Sequence, residues 1–215
     1  GEQTVVRGKD TLEYIGISIG FEDQVFAVSD VVDEDYVLKE LQNILMRRDC
    51  TEEHVREHLN PDADSGNIFW GNEVRSALNV ETLSRVAEIL LKDPMSRRGV
   101  LSFGPNEMFS EPNVTHQVDN DEKREEYNVP DYSEDHWEVP CLVNAHFLIR
   151  HGKLHLCVKA RSSDIYLGMP YDLALFQKIH NIMGNMTNTE VGKFTYSVDV
   201  LHAYGNEEGY IGLND

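Results

Sequence analysis

The stretch RSSDIYLGMPYD, residues 161–172, decides how the rest of the chain is read. It opens with a guanidinium and two hydroxyls, passes through Gly168 and Pro170, and delivers a carboxylate at Asp172 just as the helical pattern YDLALFQKIHNIM begins. A guanidinium fork and a hydroxyl both offer donors to anionic oxygens, so Arg161 and Ser162 form a candidate phosphate cradle. Gly168 and Pro170 shape a turn through which backbone can approach a ligand closely. Asp172 has two readings: a cap for the helix that starts there, or a carboxylate offered to a ligand.

This segment resembles the RS-x-D-x-x-LG-x-P-[FY]-N segment of the thymidylate synthases, a family that alkylates C5 of a pyrimidine nucleotide using 5,10-methylenetetrahydrofolate. The departure is at the last position. The family's asparagine pairs with the uracil edge, whereas this chain has Asp172, as the related phage dCMP hydroxymethylases do. Cytosine shows an amino donor at N4 where uracil shows a carbonyl acceptor, so a carboxylate suits cytosine and repels uracil O4.

Immediately upstream, EVPCLVNAHFLIRHGKLHLCVKA reads as two strands joined by a His151-Gly152 turn. Alternation places Val143, Ala145, Phe147 and Ile149 on one face, and Leu154, Leu156, Val158 and Ala160 on one face of the second strand. Cys141, directly after a proline at the start of the first strand, resembles the family's nucleophile in its P-C-H motif, with Leu142 replacing the histidine. Hydroxymethylases of the family also lack that histidine. Cys157, in mid-strand, reads as a core residue. Downstream, Leu175, Phe176, Ile179, Ile182, Met183 and Met186 form the apolar stripe of a long helix. EVGKFTYSVDVLHAYGN then gives a strand ending in His202 and Tyr204, which resemble the family's H-x-Y pair on the sugar hydroxyl. Residues two apart on a strand face the same side, so joint contact with one sugar is geometrically sound.

In the first half, TLEYIGISI (11–19) alternates as a strand, with QVFAV (24–28) as a hairpin partner. VVRGKD before it resembles the family's arginine-bearing phosphate loop, with Arg7 as the candidate; a solvated loop arginine is the other reading. A helix is expected from Asp35 to Arg48, with Val37, Leu38, Leu41, Ile44 and Leu45 on its apolar face. Within it Glu40 resembles the glutamate that organises proton transfers around the pyrimidine; periodicity alone makes it an exposed helical residue. No residue between Cys50 and Asn67 matches the tryptophan that walls the family's site. Trp70, in FWGNEVR, stands where a tyrosine is usual and reads either as packing or as pocket lining. A second helix is expected over 80–93. It leads into Ser96, Arg97 and Arg98, which resemble the SRR motif that reaches across a dimer interface to the partner's phosphate. Periodicity then disappears over 105–137, an acidic, turn-rich insertion.

The chain has 215 residues, 40% of them hydrophobic and 27% charged, as expected of one globular domain spanning 1–215. Its formal net charge of -19 opposes proteins that work by coating nucleic acid, while leaving room for a small anion held by converging arginines. No apolar run approaches membrane-spanning length and the N-terminus lacks a signal-peptide layout, so no membrane partner and a cytoplasmic location are expected. Three scattered cysteines suggest a reducing compartment and no metal site.

The resemblance implies an α+β, thymidylate synthase-like fold, with a mixed sheet packed by helices and a homodimer formed through that sheet with shared sites. It implies Cys141, Glu40 and Asp172 as catalytic residues, and Arg7, Arg97, Arg98, Arg161, Ser162, Asp172, His202 and Tyr204 as nucleotide contacts. Asp164, Gly168 and Trp70 fall on the folate side. The expected activity is dCMP 5-hydroxymethyl transfer from methylenetetrahydrofolate. CMP hydroxymethylation, methylation of dCMP or dUMP, and a catalytically silent nucleotide-binding homologue are the alternatives. Relatives continue into a tail that closes over the folate; a site without the walling tryptophan and with no evident lid is expected to be wetter, which favours hydroxymethyl.

Overall fold

The structure is a computed structural model, and it describes residues 2–6, 9–22, 32–48, 74, 77–103, 140–166, 168–206 and 209–210. Its centre is a sheet of seven strands: β1 (Glu2–Val6), β2 (Lys9–Phe21), β3 (Val100–Ser102), β4 (Leu142–Arg150), β5 (Lys153–Asp164), β6 (Glu190–Asn206) and β7 (Gly209–Tyr210). The order is β1-β2-β6-β5-β4-β3, with β7 folding back on β6. Every pairing is antiparallel except β5 with β6. Among the described residues three helices accompany it: α1 (Glu34–Leu45), α2 (Val80–Lys92) and α3 (Met169–Thr187). The mixed sheet packed by helices is the α+β architecture expected from the sequence.

Local chemistry sets the ends of these elements. His151 and Gly152 both adopt positive φ, 52° and 75°, which gives the β4–β5 hairpin a turn whose twist matches its strands. Asn79 and Thr82 exchange side-chain and backbone hydrogen bonds in a capping box that starts α2. Asp33 caps α1 by accepting from the Tyr36 N–H at 3.1 Å. Gly168 occupies the cap position of α3, with Pro170 in the first turn and Asn188 ending the helix in a left-handed conformation. Asp172 therefore lies inside α3 and is not its cap.

One face of the sheet carries the core. Leu154, Leu156, Val158 and Ala160 of β5 are buried, as alternation predicts, beside Phe194, Tyr196 and Val198 of β6. They meet Phe176, Ile179 and Met183 of α3, which crosses between the two parallel strands. Ile182 and Met186 of the expected stripe are only partly buried. His180 is also in this core; its ring nitrogen Nε2 lies 2.8 Å from the Leu154 carbonyl, and burial lowers its pKa. α1 packs on α3 through an edge-on contact of Tyr36 with Tyr171 and an ion pair between Lys178 and Glu34.

Several expectations are corrected. A bulge between Leu142 and Asn144 shifts the phase of β4, so Leu142 is buried with Ala145 and Phe147, and Val143 is not fully enclosed. Cys157 is exposed, because it points to the opposite face of β5 from Leu156 and Val158 and lies across from His146. On α1, Tyr36 is buried and Leu38 is 47% exposed, and the helix ends at Leu45. Of VVRGKD, Val5, Val6, Lys9 and Asp10 are paired strand residues of a β1–β2 hairpin. The expected partner strand at 24–28 and the insertion at 105–137 lie outside the described residues. No helix among the described residues is long and apolar enough to cross a membrane.

Gly99 holds the segment bearing Arg97 and Arg98 against the sheet. The Phe147 N–H donates to the Gly99 carbonyl at 2.8 Å, and a Cβ on Gly99 would stand 2.6 Å from the Phe147 carbonyl oxygen. Gly99→Ala should therefore force backbone apart and cost about 1–3 kcal/mol. A lower denaturation midpoint with an unchanged m-value in urea checks this.

Candidate active site

The C-terminal half of β5 and the start of α3 enclose a polar cluster. In β5 the buried phase passes from Ala160 to Ser163, and in β6 it passes from Val198 to Leu201. Ser163 is thereby turned inward, where it hydrogen-bonds to the hydroxyl of the fully buried Tyr196. Tyr196 in turn donates to Asp172 Oδ2 at 2.7 Å. The Cys141 thiol is close enough to Tyr196 for its charge to act on the phenol. Four strand and helix segments thus bring a cysteine, two hydroxyls and a carboxylate together.

Electrostatics follow from that enclosure. Burial pushes the Asp172 carboxyl up to about 6, against the opposing effect of the Tyr196 hydrogen bond, which favours the anion. The residue keeps some contact with solvent while its carboxyl is surrounded by protein. Its position in the first turn of α3 also favours negative charge through the helix dipole. Burial raises the Tyr196 phenol far above its ordinary value, and the adjacent Asp172 charge adds to this, so the hydroxyl remains a donor at any working pH.

A second cluster surrounds Arg161. Its N–H donates to the Cys141 carbonyl at 2.8 Å and its Nε to the Pro140 carbonyl at 3.1 Å. The arginine and the Pro-Cys segment are thereby tied together. Arg161 itself is exposed. Ser162 Oγ lies 3.2 Å from His202 Nδ1, and the His202 ring meets Tyr204 edge-on at 4.9 Å. Three of the residues expected around the nucleotide are therefore in one contact chain.

Other expected site residues are placed less tightly. Arg97 and Arg98 are exposed beside buried Ser96, which accepts from the backbone N–H and Nε of Arg98 at 3.3 and 3.4 Å. Glu40 is half-buried on α1. Asp164 Oδ1 accepts from the Tyr166 N–H at 2.8 Å. A Cβ on Gly168 would stand 3.3 Å from the Asp164 nitrogen and the Ser163 hydroxyl, so this glycine lets the start of α3 sit against the end of β5. Arg7 and Trp70 lie outside the described residues. Among the described residues no group of three or more His, Cys, Asp and Glu side chains is arranged to hold a metal.

The sequence matches the thymidylate synthase family over residues 57–211. The chain belongs to the thymidylate synthase family. A thymidylate synthase of Bacillus atrophaeus is 32% identical over 66 residues, 31% of this chain and 29% of the relative. One from Symbiobacterium thermophilum is 33% identical over 67 residues, 31% of this chain and 24% of the relative. These matches thus span under a third of the curated relatives' length. Among solved structures, the thymidylate synthase of T4 phage superposes with a TM-score of 0.64 at 18% identity, over 96% of this chain and 73% of that one. Thermostable thymidylate synthase A of Bacillus subtilis gives 0.61 at 20% identity, over 91% and 67%. The fold of this family member is that of the thymidylate synthases.

Reading the sequence of this thymidylate synthase relative missed Tyr196 and Ser163. A signal for Tyr196 was present: it alternates with Phe194 and Val198 on the core face, and a buried tyrosine hydroxyl needs a partner. Ser163 had none, because its inward turn depends on the phase change in β5.

The raised Asp172 pKa has a consequence for stability. Below pH 3.8 the carboxyl is protonated in both folded and unfolded states and its burial costs little. As pH rises through about 6, the folded state must bury the charge or hold a proton that the unfolded chain has released, so stability falls. The full difference is on the order of 3 kcal/mol. Asp172→Asn should therefore stabilise the protein at pH 8, with the gain shrinking as pH is lowered through 6 toward 4; urea unfolding at several pH values measures it.

Proposed function

We propose that this chain is a dCMP 5-hydroxymethyltransferase, acting as one domain over 1–215 with the acidic segment 105–137 inserted. The observation that carries this reading is the enclosed carboxylate of Asp172, hydrogen-bonded by Tyr196, on which Cys141 also acts. Family membership supports one-carbon transfer to a pyrimidine nucleotide. The carboxylate supports cytosine, whose N4 amino group donates to it.

In this reading Cys141 adds as thiolate to C6 of the pyrimidine, which makes C5 nucleophilic. Methylenetetrahydrofolate supplies the one-carbon unit when bound; Asp164 and Gly168, where β5 gives way to α3, are its proposed contacts, with Trp70. Arg161, fastened to the Pro140-Cys141 segment, holds phosphate close to the nucleophile, with Arg7 and Ser162. His202 and Tyr204 take the sugar. Asp172 holds the base edge, and Glu40 manages protons. The hydroxyls and carboxylate of the Ser163, Tyr196 and Asp172 cluster, together with the absence of tryptophan from residues 51–69, support water as the final nucleophile. Methylation of dUMP is the second reading, supported by relatives that are named thymidylate synthases.

The proposed assembly is a homodimer packed through the sheet face opposite the helices. That face carries Ser18, Ser197, Lys159 and Cys157, and His146 Nε2 is buried without a hydrogen-bond partner among the described residues. Arg97 and Arg98, exposed beside β3, would reach the partner's phosphate.

Two outcomes are expected. Incubation with methylenetetrahydrofolate and C5-tritiated dCMP should release tritium and form hydroxymethyl-dCMP, and Cys141→Ser should abolish release while retaining nucleotide binding; full turnover by that variant removes the nucleophile assignment. Arg97→Ala and Cys141→Ser proteins, each inactive alone, should regain activity when mixed under conditions of subunit exchange, because one site in the hybrid receives both intact parts.

A further inference from the structure

We infer that Tyr196 is a specificity-positioning residue: by donating to Asp172 Oδ2 at 2.7 Å it fixes the hydrogen-bonding pattern shown to the pyrimidine and enforces cytosine over uracil. The inference rests on the proposed recognition of the base by Asp172.

An aspartate alone does not guarantee that choice. The cytosine edge offers an acceptor at N3 and a donor at N4, and the uracil edge a donor at N3 and an acceptor at O4. An ionised carboxylate presents two acceptors, so at either edge it gains one contact and meets one repulsion: N4 against N3 for cytosine, N3–H against O4 for uracil. A neutral carboxyl presents one donor and one acceptor, and serves either edge by carrying its proton on one oxygen or the other. Burial at Asp172 favours the neutral form. An unanchored carboxyl in this position would therefore discriminate poorly.

The Tyr196 hydroxyl removes the ambiguity of the neutral carboxyl. It favours the ionised form by donating to it. In the neutral form it makes Oδ2 the acceptor and leaves the proton to Oδ1, so with Oδ1 set against ring N3 the reversed pattern that fits uracil is suppressed. Ser163, the other group on the phenol oxygen, lowers the phenol's pKa and so acts as donor there, which directs the phenol's own proton to Asp172. The groups facing Asp172 and its anchor are thus Tyr196 on β6, Ser163 on β5 and Cys141 at the start of β4.

The test compares wild type, Tyr196→Phe, Asp172→Asn and the double variant, measuring calorimetric affinities for dCMP and dUMP at pH 7. Tyr196→Phe should lower the dCMP:dUMP affinity ratio at least about tenfold, the scale of one hydrogen bond to a charged group. It should change nothing further in the Asp172→Asn background, since Tyr196 acts through Asp172. An unchanged ratio in Tyr196→Phe, or an equal drop in both backgrounds, overturns the inference while leaving the proposed function standing. A wild type that prefers dUMP overturns the cytosine reading itself. The positioning role is then decided by the carbon-13 titration of the Asp172 carboxyl, whose midpoint should rise in Tyr196→Phe and whose constancy would overturn that role. Should Tyr196→Phe fail to fold, Ser163→Ala carries the test: a smaller loss of preference in the same direction supports the inference, and an unchanged ratio overturns it.

Discussion

The parallel pairing of β5 with β6 is the constraint on which the candidate site depends. Two parallel neighbours cannot be joined by a tight turn, so the chain must cross over the sheet, and α3 makes that crossing. The register Ser162 with Val200 and Asp164 with His202 then sets the carboxyl end of β5 beside the H-x-Y pair. The first turn of α3 begins at the same end, which carries Asp172 over Tyr196. Residues separated by 40 positions in sequence, Ser162 and His202, touch because of this one pairing.

The same arrangement sets stability against chemistry. A carboxylate enclosed beside a buried tyrosine is poor core material: an apolar side chain of similar size would avoid its desolvation. Ser163 and Tyr196 soften that cost by satisfying one another and one carboxylate oxygen. The network is thus better understood as a site built into the core wall than as a device for holding the fold together. The fold itself rests on the phenylalanine and leucine cluster between sheet and helices, with Phe147, Phe176 and Phe194 fully enclosed.

Where the chain alternates or repeats regularly, the sequence was enough. The hairpin turn at His151 and Gly152, the buried row from Leu154 to Ala160, and the helices over 80–93 and beyond Asp172 follow from period and turn chemistry alone. The candidate site was legible only through motif resemblance, since nothing in the spacing of Ser162 and His202, or of Asp172 and Tyr196, reveals that they meet. Alternation failed at irregularities. The bulge after Leu142 turned that residue inward in place of Val143, and Cys157 emerged on the open face. Such departures are set by tertiary packing, which a local period does not encode. Asp172 looked like a cap because its helix seemed to begin there; Gly168 takes that place because a side chain would crowd the end of β5.

Among the described residues the sheet ends on two small strands, β1 with five residues and β3 with three. Short edges present few unpaired backbone groups and make poor templates for lateral growth by strand addition. The broad face bearing Ser18, Ser197 and Lys159 runs across the long central strands instead. In the proposed homodimer self-recognition runs through that face and not along a ladder, and a closed, face-to-face pair is the geometry that ends in a defined particle and not a fibre.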